Sequence, residues 1–186
     1  MPGTIRVPNT DFYRAPDHLS ADEKAFGLWA ANRVEEAILA EGADSVAAVF
    51  VEPVQNAGGS IPPPPGYFER LREICDSYDV LLVSDEVICA YGRLGTMFGC
   101  AEVRLPARHH HQREGPDFGY AALGAAIISD RIFEPFSKGT TSVLHGYTFG
   151  GHPVACAAAL ANLDLFQKED LLGNVRGNEN AFRATL

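Results

Sequence analysis

The chain has 186 residues, 15 Lys+Arg against 24 Asp+Glu, a net charge of −9 and 46% apolar content. That length suits one domain with a real core, or a piece of something larger, and the composition excludes wholesale disorder. The acidic balance argues against a nucleic-acid binder, and no apolar run approaches the ~20 residues that span a bilayer.

Residues 1–19 hold Pro2, Pro8 and Pro16 without a period and predict an extended lead-in, the remainder (20–186) forming one domain. The start at Met1 lacks the basic and apolar regions of a signal peptide. Ser20-Ala-Asp-Glu23 has the form of a capping box, and helical spacing follows through Ala40, with Gly42 as C-cap. Val46–Val51 is an apolar run of strand length. The Gly- and Pro-rich stretch 56–65 punctuates the chain, and 66–78 returns to helical spacing with Phe68, Leu71, Ile74 and Cys75 on one face. Val80–Val83 predicts a second strand, and a third is expected around Leu123–Ile128. His152–Gln167 reads as an Ala-rich helix. A last helix is expected over Asp170–Leu186, where the uncapped end predicts truncation. Strand, helix, strand without alternation inside the strands predicts a parallel sheet covered on both faces. Cys75, Cys89, Cys100 and Cys156 lack CxxC spacing and read as reduced, mostly buried thiols of a cytoplasmic protein.

In parallel α/β sheets ligands bind beyond the carboxyl ends of the strands. Two strands here lead into acids: Val51-Glu52-Pro53-Val54-Gln55 and Val83-Ser84-Asp85-Glu86-Val87. One such acid is commonly a cap or a salt-bridged structural group. Two, flanked by Gly-rich loops, point to a site. A carboxylate at the bottom of a pocket can hold a pyridinium nitrogen protonated, which makes pyridoxal phosphate an electron sink.

The run Glu52-Pro-Val-Gln-Asn-Ala-Gly-Gly-Ser-Ile-Pro-Pro-Pro-Pro-Gly-Tyr67 resembles a segment of the class III aminotransferases. Leu81-Leu-Val-Ser-Asp-Glu-Val-Ile-Cys-Ala-Tyr-Gly-Arg-Leu-Gly95 resembles that family's motif built on Asp-Glu-Val and Gly-Arg-x-Gly. His145-Gly-Tyr-Thr-Phe-Gly-Gly-His-Pro153 resembles its His-Gly-x-Thr loop. The resemblance covers nearly the whole chain except roughly residues 103–119.

The resemblance implies fold type I, the aspartate-aminotransferase-like α/β large domain with a mainly parallel sheet covered by helices. It implies pyridoxal 5'-phosphate as cofactor, an amine or amino-acid donor, a keto-acid or aldehyde acceptor, and a homodimer. Asp85 would pair with the pyridine nitrogen and Val87 would pack on the ring. Thr148 would bind the phosphate from across the dimer, and Glu52 would be a polar support. Arg93 would brace its loop. For Glu52, Glu86 and Arg93 a purely structural role stays open. Gln55, Asn56 and Tyr91 are candidate substrate contacts. His145 and His152 are not expected to act as catalytic bases, nor Cys89 and Cys100 as nucleophiles. The family's phosphate loop would lie upstream of Met1 and its small domain beyond Leu186.

The same resemblance implies a Schiff-base lysine between the second and third motifs, and none is there. The three lysines are Lys24, Lys138 and Lys168, and residues 103–119 hold none. The expected place is near Glu114. Ala107–Gly119 back-translated and read from the second base of each codon permits Pro-Asp-Ile-Ile-Thr-Ser-Ala-Lys-Gly-Leu-Thr-Ser, which resembles the family's lysine motif. The lysine codon would straddle Glu114 and Gly115. Compensating single-base indels bracketing residues 103–119 are the expectation. Two rival readings of the stretch are a metal site on His109 and His111, which lacks a carboxylate or cysteine at ligand spacing, and a basic surface loop. The alternative for the whole chain is a catalytically inactive remnant that binds cofactor weakly or associates with an intact subunit.

Overall fold

The computed structural model describes residues 3–103, 109–113, 119–139 and 141–185, the stretch 109–113 by its backbone alone. In chain order the elements are α1 (Glu23–Glu41), β1 (Ala48–Val51), α2 (Tyr67–Ser77), β2 (Leu81–Asp85) and α3 (Gly99–Glu102). Then follow β3 (His109–Arg113), β4 (Gly124–Ile127), α4 (Asp130–Lys138), α5 (Pro153–Lys168) and α6 (Leu171–Arg183). The four strands form one sheet in the order β1-β2-β3-β4. β1, β2 and β3 run parallel and β4 is antiparallel to β3. The mainly parallel α/β architecture is as the motifs imply.

The core lies between α1, α2 and one sheet face. Leu71, Ile74 and Cys75 of α2 meet Ala31, Val34 and Ile38 of α1 over Leu82, with Val49 and Val51 packed alongside. Full burial of each such aliphatic side chain is worth about 2 kcal/mol. Arg70 ties the same two helices at the surface through Glu35 (2.6 Å) and Asn32 (2.9 Å). Among the described residues the second sheet face is left partly uncovered. Phe50, which alternates to the side away from Val49 and Val51, is 66% exposed.

Four further details depart from the sequence reading. The first long helix is capped by Asp22, whose side chain accepts from the Ala25 amide at 2.9 Å. Ser20 instead spends its hydroxyl on the Asp17 carbonyl, so the capping box does not form. The lead-in contains two short 3-10 turns, Phe12–Arg14 and Asp17–Leu19, and Phe12 packs on Phe26 at 5.7 Å. β2 reaches Asp85, two residues past the expected end, because β3 supplies it a second partner. β3 forms over 109–113, a stretch whose sequence carries no strand pattern and for which a basic surface loop is one rival reading. The run His-His-His-Gln-Arg has no hydrophobic pattern, yet its backbone pairs on both sides.

Burial raises several ionisations. It pushes the Cys75 thiol from 9.0 up to about 11 and the Tyr67 hydroxyl from 10.0 to about 12. Burial, reinforced by the neighbouring Glu86 charge, takes Cys100 from 9.0 to about 12. The unfolded chain releases these protons near the ordinary values, so stability conferred by the neutral groups is present below pH 9.0 and is lost as pH rises toward 11 and 12. Urea midpoints should therefore fall steadily from about pH 8 to about pH 10.5. A Cys75→Ser, Cys100→Ser double variant should show a shallower decline.

Candidate active site

The carboxyl ends of β1 and β2 open onto a cavity of about 310 Å³ lined by Glu52, Gln55, Tyr67 and Asp85, with Asn9 and Thr10 forming a side wall. Parallel pairing of Val51 with Ser84 brings the two strand ends level, so the acids that follow them share one mouth.

Asp85 closes β2. Strand alternation sends Ser84, fully buried, to the core face and Asp85 to the other. Asp85 Oδ1 accepts from the Val87 amide at 3.1 Å, which fixes the carboxylate while leaving it on the cavity wall. Val87 is half-buried immediately beyond. Glu52 is held in the same manner, its Oε2 accepting from the Asn56 amide at 3.1 Å. The loop after it folds back as a small ladder, with Gln55 and Ile61 exchanging backbone hydrogen bonds at 2.8 and 3.0 Å.

Glu86 does different work. It is 1% exposed, and its carboxylate accepts from the Ser84 hydroxyl (3.0 Å) and the Gly99 and Cys100 amides (2.8 Å each). It staples the end of β2 to the start of α3 and closes the segment between them into a loop. Of the two readings left open for Glu86, the bonding supports the structural one. A buried carboxylate is tolerable only with such a set of donors.

Sequence reasoning missed the side wall. The Gln55 amide nitrogen donates to the Thr10 hydroxyl (2.6 Å), and the Asn9 amide nitrogen donates to the Gln55 side-chain oxygen (2.9 Å). The polar cluster Asn9-Thr10-Asp11 was a signal, but no local period connects it to a residue 45 positions away.

Thr148 is not brought to this cavity. It lies in an exposed loop, where His145 packs edge-on against Tyr147 at 5.2 Å. His152 caps α5 by backbone alone, with Pro153 in the first turn. Tyr91 is half-buried with φ +52°, and burial raises its hydroxyl ionisation. Arg93 is exposed.

The donor set fits a pyridinium ring in one respect and fails a covalent tether in another. Asp85 stands on the cavity wall, where a ring nitrogen could be met, while Val87, half-buried two residues on, is not among the residues that line it. None of the three lysines lines the cavity. Lys138 ends α4, paired with Glu134, Lys24 opens α1 and Lys168 closes α5. The position expected to carry the lysine, near Glu114, lies outside the described residues. Among the described residues no group of His, Cys, Asp and Glu could hold a metal, and the side chains of His109 and His111 are not described.

The sequence pattern of the class-III aminotransferases matches residues 2–186. A probable aminotransferase of Mycobacterium tuberculosis is 62% identical over 185 residues, which is 100% of this chain and 39% of that protein. A putrescine–pyruvate aminotransferase of Pseudomonas aeruginosa is 38% identical, over 95% of this chain and 38% of its own length. Among solved structures, an omega transaminase from Pseudomonas jessenii in complex with PMP superposes with a TM-score of 0.86 at 35% identity, covering 92% of this chain and 38% of that one. The chain thus spans about two fifths of the length of the relatives it matches.

Proposed function

The chain belongs to the class III aminotransferases, a pyridoxal 5'-phosphate-dependent family, and from that premise we propose that it supplies the ring-binding part of a transaminase site. The reaction is transfer of an amino group from an amine or amino acid to a keto acid or aldehyde, in a cytoplasmic homodimer. The observation that carries this reading is Asp85, fixed at the carboxyl end of β2 on the cavity wall, with Val87 next to it. When bound, the cofactor supplies an electron sink for the amine carbon. Asp85 keeps the ring nitrogen protonated, Val87 bears on the ring face and Glu52 gives the cavity a polar wall. Thr148, exposed on its loop, serves the phosphate of the partner subunit's site.

Two states of the gene product follow, and they differ over residues 103–119, above all in whether a lysine stands there. In the first, the reading frame over residues 103–119 is displaced by paired single-base indels, and the intact frame encodes a lysine in place of the Glu114–Gly115 junction. Its support is positional. β3 lies parallel to β2 with His111 opposite Asp85, so the codons after Arg113 follow directly on the strand beside the ring-binding acid. In the second, the residues as written are the true product, and the chain is a catalytically inactive remnant that binds cofactor weakly or associates with an intact subunit.

Spectroscopic titration of the chain with pyridoxal 5'-phosphate tests the ring-binding assignment. Saturable binding is expected, and Asp85→Asn should weaken it about ten-fold or more through loss of a charge-assisted hydrogen bond. An unchanged affinity in the variant, or no saturable binding in the parent, would contradict it.

A further inference from the structure

The Gly92-Arg93-Leu94-Gly95 run has no part in the site just described, yet it is held tightly. The Tyr91 amide donates to the Met97 carbonyl at 2.7 Å and the Gly92 amide to the Thr96 carbonyl at 3.0 Å, so residues 91–97 form a closed loop. Its base is the Glu86 staple to Gly99 and Cys100. Its tip meets the C-terminal helix pair. A Cβ on Gly92 would stand 2.9 Å from Phe166 of α5 and 3.4 Å from Leu172 of α6, and one on Gly95 would stand 2.9 Å from Arg176 of α6. Both glycines also have positive φ, +87° and +78°. Here glycine serves the turn and the close approach together. Arg176 Nη1 donates to the Gly95 carbonyl at 2.5 Å, across 81 residues of sequence. Phe166, 3% exposed, fills the hollow over Gly92.

We propose that Arg176 is a positioning residue: by holding the Gly95 carbonyl it clamps loop 91–97, and through that loop it fixes the Asp85–Val87 segment that continues into it. The functional weight of this clamp rests on the ring-binding reading of Asp85 and Val87. The clamp itself does not. It makes α6 part of the support of a strand end far from it in sequence, and it gives the two loop glycines a physical purpose. Lysine can replace arginine in part, because a single N–H donor reaches a single carbonyl.

Amide exchange followed by NMR on the 186-residue chain decides the matter. In Arg176→Ala, the Tyr91 and Gly92 amides should exchange about ten-fold faster, and the Val87 amide that donates to Asp85 should lose protection with them. Amides of α1 and α2 should be unchanged, and Arg176→Lys should recover most of the loop protection. Unchanged exchange at residues 87–92, or an equal loss throughout α1 and α2, would overturn the clamp, as would failure of lysine to rescue. A parallel pyridoxal 5'-phosphate titration separates the two ideas. If the parent chain binds no cofactor, the ring-binding reading fails, and the exchange data still decide the clamp. If the parent binds and Arg176→Ala binds equally well with a loosened loop, the positioning role is refuted.

Discussion

Glu86→Ala is expected to cost about 3 kcal/mol of stability and to free the loop it closes. The carboxylate accepts from two buried backbone amides and one buried hydroxyl, so its removal leaves three donors without that partner in a place water does not reach. Each orphaned donor carries a desolvation penalty of about 1–3 kcal/mol, partly relieved by relaxation. Glu86→Gln retains one acceptor oxygen and turns the other into a donor facing an amide, so an intermediate loss is expected. Urea unfolding followed by circular dichroism gives the difference directly. A loss under about 1 kcal/mol for the alanine variant would mean that the Gly99 and Cys100 amides find other acceptors, and that the staple is not what shapes the Asp85–Val87 segment.

Restoration of the frame proposed to be displaced over residues 103–119 is expected to have the largest functional effect. Borohydride reduction in the presence of pyridoxal 5'-phosphate should leave the chain as written without cofactor fixed in the cavity, since none of its three lysines lines it. The frame-restored chain should retain the cofactor covalently on the lysine that replaces the Glu114–Gly115 junction. Peptide mass mapping locates the adduct. Labelling of Lys138 instead, at the end of α4 beside Glu134, would show that the restored residue is not the cofactor's partner.

Part of the candidate site was legible in the sequence: Glu52 and Asp85 line one cavity, whereas Val87 and Thr148 are not among its lining residues. The acids at 52 and 85 stand out because polar residues directly after buried strands demand a reason, and both strands proved to be neighbours in register. The boundaries were less legible, because tertiary partners set them. Asp85 belongs to β2 only because β3 pairs with it, and β3 is written in His, Gln and Arg. α4 escaped notice since Pro135 stands inside it; the helix tolerates the ring near its C-terminal end, where the Pro135 carbonyl still receives the Gly139 amide. Ser20 and Asp22 are both competent N-caps by type, and only the competing bond from Ser20 to the Asp17 carbonyl decides between them. The Arg176–Gly95 contact was beyond any local pattern, as its partners are 81 residues apart.

The central claim is that an aminotransferase reading frame is interrupted over a short internal stretch while its ring-binding acid stays in place. The most direct measurement is the nucleotide sequence of the coding DNA across codons 100–122, determined from fresh source material with its flanks. The account predicts GAA at Glu114, which read one base on gives the lysine codon AAG with Gly115, and one displaced base at each end of the stretch. A GAG codon at Glu114, or any codon from Ala107 to Phe118 that breaks the shifted motif, would contradict the displaced frame and leave the chain as a remnant without its cofactor lysine.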